Sequence, residues 1–129
     1  MDPSQMDQII RQKYQASLLN DQQWGRIIGF LVAHEELFTQ LTLQSIYGRS
    51  HQLLIDGSEA WGVDFYPNGM EGMVTAPPVP GWILYREIAS LQLYCRSSIP
   101  EVLKDLSQLG PLEWRSAESV LTIYAYRER

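Results

Sequence analysis

The spacing of the apolar residues changes from helical to alternating after residue 38, and that change constrains the fold more than any other feature. Over residues 3–38 apolar side chains recur at intervals of three and four, which is the period of an amphipathic helix. From Leu41 onward they alternate, or form short runs between Gly, Pro and Asn, which is typical of strands and turns. The sequence therefore predicts helices first and a sheet after them.

Two N-terminal helices are predicted, over Pro3–Ser17 and Asp21–Phe38. Asp2 is the expected N-cap of the first helix. Asn20 and Gln23 have the spacing of a capping box, in which each side chain bonds the backbone of the other residue. A third helix is expected to begin at a second capping-box spacing, Ser98 with Glu101, and to stop at Gly110-Pro111.

The rest of the chain predicts strands separated by turns. Asp56-Gly57 is a hairpin signal and Pro67-Asn68-Gly69 is turn chemistry. The strongest alternation covers Glu59–Tyr66, with Trp61, Val63 and Phe65 on one face. The further strands are expected at Leu41–Leu43, Gln52–Ile55, Gly69–Thr75, Trp82–Ile88, Ser90–Cys95, Leu112–Arg115 and Val120–Tyr126.

This order of elements predicts an α+β fold in a single domain, residues 1–129. We expect an N-terminal helical pair, a mainly antiparallel sheet of about five to seven strands, and one further helix before the last two strands. The helices should pack on one face of the sheet. Alternating βαβ units are not seen, which argues against a doubly wound nucleotide-binding fold.

Charge and cysteine content exclude several classes of partner. Ten Lys and Arg against fifteen Asp and Glu give a net charge of −5, which disfavours nucleic acid and anionic membranes. The single cysteine, Cys95, excludes an internal disulfide and favours a reducing compartment. Because no targeting segment is visible, we expect a cytoplasmic protein.

The motifs of known chemistry are incomplete, so we predict no catalytic residue, no metal site and no cofactor. His34-Glu35 begins like a zinc-protease motif, but Phe38 occupies the position of the second histidine. Cys95 lies on the apolar face of its predicted strand and is expected to be a buried structural thiol. The glycines do not have the spacing of a phosphate-binding loop.

One stretch nevertheless suggests a binding surface. Between Arg49 and Arg86 the chain has no Lys or Arg, but it has four carboxylates and several aromatic residues. An acidic, aromatic surface suits a basic partner, although for mid-strand Asp64 simple exposure on the open face of the sheet is the favoured explanation. The predicted partner-binding residues are Asp56, Glu59, Asp64, Tyr66, Glu71 and Trp82.

We therefore expect a non-catalytic protein-binding module, of the inhibitor or immunity type, an adaptor or an assembly factor, whose partner has a basic surface. One alternative is a small-molecule-binding domain or small enzyme with a pocket between the helices and the sheet, made polar by His51 or Asp64. Another is a homo-oligomer that pairs through the C-terminal strand or through the strand at Leu41–Tyr47.

Overall fold

The computed structural model describes residues 3–53, 69–71, 82–96 and 98–128. Its helices are α1 (Pro3–Lys13), α2 (Asp21–Ala33) and α3 (Ile99–Leu106). Its strands are β1 (Tyr14–Ser17), β2 (Phe38–Ser45), β3 (Ser50–Gln52), β4 (Gly69–Glu71), β5 (Trp82–Leu84), β6 (Ile88–Cys95), β7 (Trp114–Ala117), β8 (Val120–Tyr124) and β9 (Tyr126–Glu128).

Within these ranges five strands form one sheet in the order β3-β2-β6-β8-β7, and two further strand pairs are β1-β9 and β4-β5. Every pairing is antiparallel. Two helices precede the sheet and α3 precedes its last strands. The predicted α+β fold is therefore confirmed.

The two faces of the five-stranded sheet differ in polarity because side chains alternate along each strand. The register aligns one row across all five strands on the core side: His51, Leu43, Leu91, Ile123 and Trp114. The neighbouring row is polar: Gln52, Thr42, Gln92, Thr122 and Arg115.

The helices contribute to the core on the apolar side of the sheet. Trp24, Ile27, Ile28 and Leu31 of α2 are buried in the same cluster as the central strand residues. Val102 and Leu106 of α3 join them. None of the helices in the described ranges has the length and apolarity needed to span a bilayer.

Both N-terminal helices are shorter than predicted: the end of the first forms a strand, and the end of the second forms a 3-10 turn at Glu35–Leu37 followed by a strand. Residues Tyr14–Ser17 leave the helix and pair with Tyr126–Glu128 near the other end of the chain. Phe38, assigned by its spacing to the buried side of the second helix, instead begins β2 and lies opposite Cys95. In both places the backbone forms hydrogen bonds with a strand that is distant in sequence. The local spacing of apolar residues contains no information about that partner strand.

Two predicted strands are interrupted. A 3-10 turn at Tyr85–Glu87 separates β5 from β6, where the buried Glu87 carboxylate accepts a hydrogen bond from the Leu84 N–H at 3.0 Å. The strand predicted over Val120–Tyr126 divides into β8 and β9 at Ala125, whose N–H donates to the Ala89 carbonyl at 2.9 Å.

The helix-end predictions have mixed outcomes. Asn20 and Gln23 form the capping box that starts α2. Ser98 stands at the N-cap of α3, but its side chain makes no capping bond, so the second capping box is wrong. Gly110, with φ of +124°, ends the 3-10 turn after α3 as expected.

Several predictions lie outside the described residues. They are the Asp2 cap, the Asp56-Gly57 hairpin, the Glu59–Tyr66 strand and the turn at residues 67–68.

Candidate functional site

The predicted partner surface is only partly within the described residues. Glu71 ends β4 and Trp82 begins β5, and the register places the two directly opposite each other. The structure thus brings these two positions together. The other four lie outside the described residues and stay predictions: Asp56, Glu59, Asp64 and Tyr66.

The reactive side chains occupy unreactive settings. The buried Cys95 thiol donates a weak hydrogen bond to the Leu93 carbonyl, with a sulfur–oxygen distance of 3.6 Å. Burial raises the pKa of this thiol, so it stays protonated at neutral pH. His34 lies at the partly exposed end of α2, with its ring 4.6 Å from the Phe30 ring.

His51, which the sequence suggests as a polar group of a pocket, lines neither of the two concavities described below. It is 4% exposed and lies on the core side of β3, directly opposite Leu43. Among the described residues no cluster of three or more His, Cys, Asp or Glu side chains has the geometry to hold a metal ion.

A cleft of about 300 Å³ opens beside the first turn of α2. Residues that are distant in sequence meet there, from the end of β1, the start of α2, the turn before β6, and β9. We call it the α2 cleft, and its lining consists of Ser17, Leu19, Asn20, Asp21, Trp24, Tyr85, Arg86 and Tyr126.

Local sequence fixes the α2 side of this cleft. The Gln23 N–H donates to Asn20 Oδ1 at 2.8 Å, and the Asn20 N–H donates to Gln23 Oε1 at 2.9 Å. This capping box sets Asp21 at the first helical position. One turn later Trp24 stacks on Tyr85, with ring centroids 6.3 Å apart, and this contact joins the helix to the turn before β6.

The polar groups of the cleft include both donors and acceptors, and several are already engaged within the protein. The Tyr126 hydroxyl donates to the Arg86 carbonyl at 2.7 Å, so its lone pairs are what remain for a ligand. The Arg86 guanidinium forms an ion pair with Asp7 of α1. The Tyr85 hydroxyl is buried and has no hydrogen-bond partner among the described residues.

Asp21 carries the uncompensated charge of the cleft. Burial raises the pKa of its carboxyl, and no cation within the described ranges forms an ion pair with it. Burial and then the charge of Asp21 raise the pKa of Tyr85. Burial raises the pKa of Tyr126 to about 12 although nearby Arg86 lowers it, so both phenols are neutral at physiological pH.

A second candidate surface lies at the outer edge of the five-stranded sheet. All four residues of β7 are exposed, and β7 has a strand on one side only within the described part of the chain. Trp114 is 44% exposed, and no other large apolar side chain that the structure describes reaches that level of exposure. An exposed indole beside a free strand edge is typical of a docking surface.

The hydrogen-bond pattern of β7 defines which backbone groups face this edge. The Tyr124 N–H donates to the Glu113 carbonyl at 3.0 Å. Because antiparallel ladders alternate, Arg115 is the next residue that bonds to β8. The N–H and C=O groups of Trp114 and Ser116 therefore point toward the free edge.

A concavity of about 400 Å³ adjoins this edge, between β7 and β9. Arg127 Nη2 lies 2.9 Å from Glu113 Oε1, and this ion pair crosses the concavity. We call it the edge groove, and its lining consists of Leu18, Glu113, Trp114, Arg115, Tyr124, Tyr126, Arg127 and Glu128.

The strands that the sequence suggests for homo-oligomer pairing do not supply this edge. Over Phe38–Ser45 the strand β2 pairs with β3 and β6, and over Val120–Tyr124 the strand β8 pairs with β6 and β7. Both are interior strands within the described residues, whereas the last strand, β9, pairs there with β1 alone, so homo-oligomer pairing stays a prediction. The one available sequence signal for β7 is that Glu113-Trp114-Arg115-Ser116 contains a single large apolar residue.

Comparison with protein-family models, with curated proteins and with solved structures gives no significant match. What the chain does therefore has to be argued from its described residues.

Proposed function

We propose that this protein is a non-catalytic protein-binding module that receives an extended segment of a partner protein along β7. The observation that carries the proposal is the free edge of β7 with Trp114 exposed beside it. Strand addition uses the backbone for affinity and side-chain pockets for specificity.

Two kinds of contact support this mode of binding. The outward N–H and C=O groups of Trp114 and Ser116 would hydrogen-bond the added strand. The Trp114 ring would pack on an apolar side chain of that strand, as large aromatic residues do at the energetic centres of interfaces. The edge groove would receive the next side chain on the same face.

Charge supports a basic partner. The net charge of −5 would steer a positively charged protein toward this one. Four carboxylates of the predicted partner surface would add to this effect: Asp56, Glu59, Asp64 and Glu71. The edge itself is balanced, because Glu113 and Glu128 line the groove together with Arg115 and Arg127. The net charge would therefore steer the partner during encounter, and β7 would hold it once bound. This mode of binding suits an inhibitor, an adaptor or an assembly factor.

A second copy of the chain is the other candidate occupant, favoured by the symmetry of Glu113-Trp114-Arg115. Antiparallel pairing about Trp114 would place each Glu113 opposite Arg115 of the other copy. Opposite charges at cross-strand positions contribute roughly 0.2–1 kcal/mol each. Such a short contact predicts a weak dimer.

The test compares three variants in a capture experiment from the source lysate. Ser116→Pro removes an outward N–H, and Trp114→Ala removes the anchor. Ser116→Ala is the matched control, because it keeps the backbone donor. We expect specific partners on wild-type and Ser116→Ala columns, and their loss from the other two columns.

Partners retained equally by Ser116→Pro would refute docking on β7. Sedimentation equilibrium at two protein concentrations measures whether the protein dimerises. A wild-type dimer that Ser116→Pro abolishes would identify a second copy of the chain as the occupant of β7. Lysine substitution of Asp64 and Glu71 tests steering separately, since it should lower affinity and its salt dependence for the recovered partner.

A further inference from the structure

We infer that the α2 cleft is a binding site for a primary ammonium group, with Asp21 as its counter-charge. The site is separate from β7, so it stands or falls independently of the strand-addition proposal. It rests on three features of the cleft: its charge, its hydrogen-bonding groups and its walls.

The charge of the cleft suits a cation. Asp21 is half-buried at the start of α2 and has no ion-pair partner among the described residues. Arg86 also lines the cleft, but Asp7 compensates its charge. One negative charge therefore remains, and it would repel a carboxylate or phosphate ligand.

The hydrogen-bonding groups suit a ligand with several donors. An ammonium group has three N–H donors and no acceptor. The cleft offers the Asp21 carboxylate and the lone pairs of the Tyr126 hydroxyl, and its wall contains the buried Tyr85 hydroxyl, which has no partner in the described structure. A buried hydroxyl without a partner costs free energy, and a ligand that engages it recovers that cost.

The walls suit a short aliphatic chain behind the ammonium group. Leu19 and the stacked pair of Trp24 and Tyr85 form an apolar wall that is almost wholly buried without a ligand, so the free apolar surface is small. A volume of about 300 Å³ is at the lower limit of small-molecule sites, so the ligand is an amine of a few carbons or a lysine side chain of a partner.

Acid should abolish this binding. The groups that face or flank Asp21 are Tyr85 and Arg86 before β6, Tyr126 on β9, Tyr14 behind Tyr126, and Asp7 on α1. The raised pKa values of Tyr14, Tyr85 and Tyr126 keep these three side chains neutral between neutral pH and pH 4. Loss of binding in that range therefore reports the carboxyl groups, and Asp21 is the one in the cleft.

The first experiment measures butylammonium, 1-butanol and butyrate binding to the whole protein by calorimetry and by amide NMR shifts. At neutral pH and low salt we expect butylammonium to bind at least about tenfold more tightly than either other probe, because a charge-assisted hydrogen bond gives that ratio. The largest shifts should fall on Asp21 and Tyr85. Equal binding of the three probes, or no binding at tens of millimolar, would overturn the inference.

Variants test the residues. Asp21→Asn should weaken butylammonium binding about tenfold and leave 1-butanol unchanged, and Tyr85→Phe should weaken butylammonium about threefold. A cooperative thermal unfolding transition of Asp21→Asn without ligand shows that the variant is folded. Full butylammonium binding by a folded Asp21→Asn protein contradicts the assignment.

A further arm separates the two sources of the ammonium group. Nα-acetyl-lysine-N-methylamide carries the same group on a peptide backbone. Tighter binding of this probe than of butylammonium identifies a partner lysine as the occupant, and the reverse identifies a free amine. The Ser116→Pro variant should bind all probes normally, which keeps this test independent of β7.

Discussion

The Tyr14–Tyr126 contact gives the sharpest test of the fold, because only a strand at Tyr14 stacks this ring on Tyr126. The two rings stack with centroids 4.8 Å apart and an interplanar angle of 20°. If Tyr14 continued α1, Tyr14→Ala would change stability without any coupling to Tyr126. In β1 the same change removes the stack and destabilises the protein by about 1–2 kcal/mol.

A double-mutant cycle isolates the ring contact. The cycle uses Tyr14→Ala, Tyr126→Leu and the double variant, each unfolded in urea and followed by tryptophan fluorescence. The bond from the Tyr126 hydroxyl to Arg86 is lost in both Tyr126 variants, so it cancels. We expect a coupling free energy of about 0.5–1.5 kcal/mol.

Gln12→Ala is the control for this cycle. Gln12 is exposed on α1, so its substitution should change the free energy of unfolding by less than about 0.5 kcal/mol. A coupling energy near zero, or a stabilising Tyr14→Ala, refutes the pairing of β1 with β9. An altered urea dependence would instead indicate a changed denatured state.

Three further predictions concern single residues. Glu118 has a φ of +56° in the turn between β7 and β8, so Glu118→Gly should raise the free energy of unfolding by up to about 1 kcal/mol in urea titrations, and a loss of stability would contradict this. Burial raises the pKa of Tyr47 and Tyr126 from 10.0 to about 12. These two side chains therefore ionise at a lower pH in the unfolded chain than in the folded protein. Ionisation of these two tyrosines should leave stability unchanged below pH 10 and lower it as the pH rises toward 12, and Tyr126→Phe should reduce that fall in the urea midpoint. Cys95 should react with a thiol reagent at least about a hundredfold more slowly in the folded protein than in urea, and comparable rates would show that the thiol is accessible.

The elements that local sequence specifies were the predictable ones. The capping box at Asn20 and Gln23 and the stop at Gly110 each depend on residues within a few positions, and both are present. The alternation of Leu91 and Leu93 likewise depends on burial of one face of a strand. These features need no knowledge of distant partners.

The strand at Tyr14–Ser17 and the α2 cleft were not predictable in this way. The spacing of Tyr14 fits a helical stripe, and only pairing with β9 overrides it. Asp21, Tyr85 and Tyr126 belong to three segments whose proximity depends on the sheet order. No pattern in the sequence indicates that these three residues lie together, because sheet order is set by the packing of the whole chain.

The pairing of β1 with β9 also bears on how the protein is made. Gln15 donates a hydrogen bond to the Glu128 carbonyl from 113 residues away. At ribosomal rates of about 5–20 residues per second, β1 waits on the order of ten seconds for its partner strand. During synthesis the N-terminal segment therefore emerges without the strand that holds it, and its Tyr14 ring stays open to chaperones until translation has passed Tyr126.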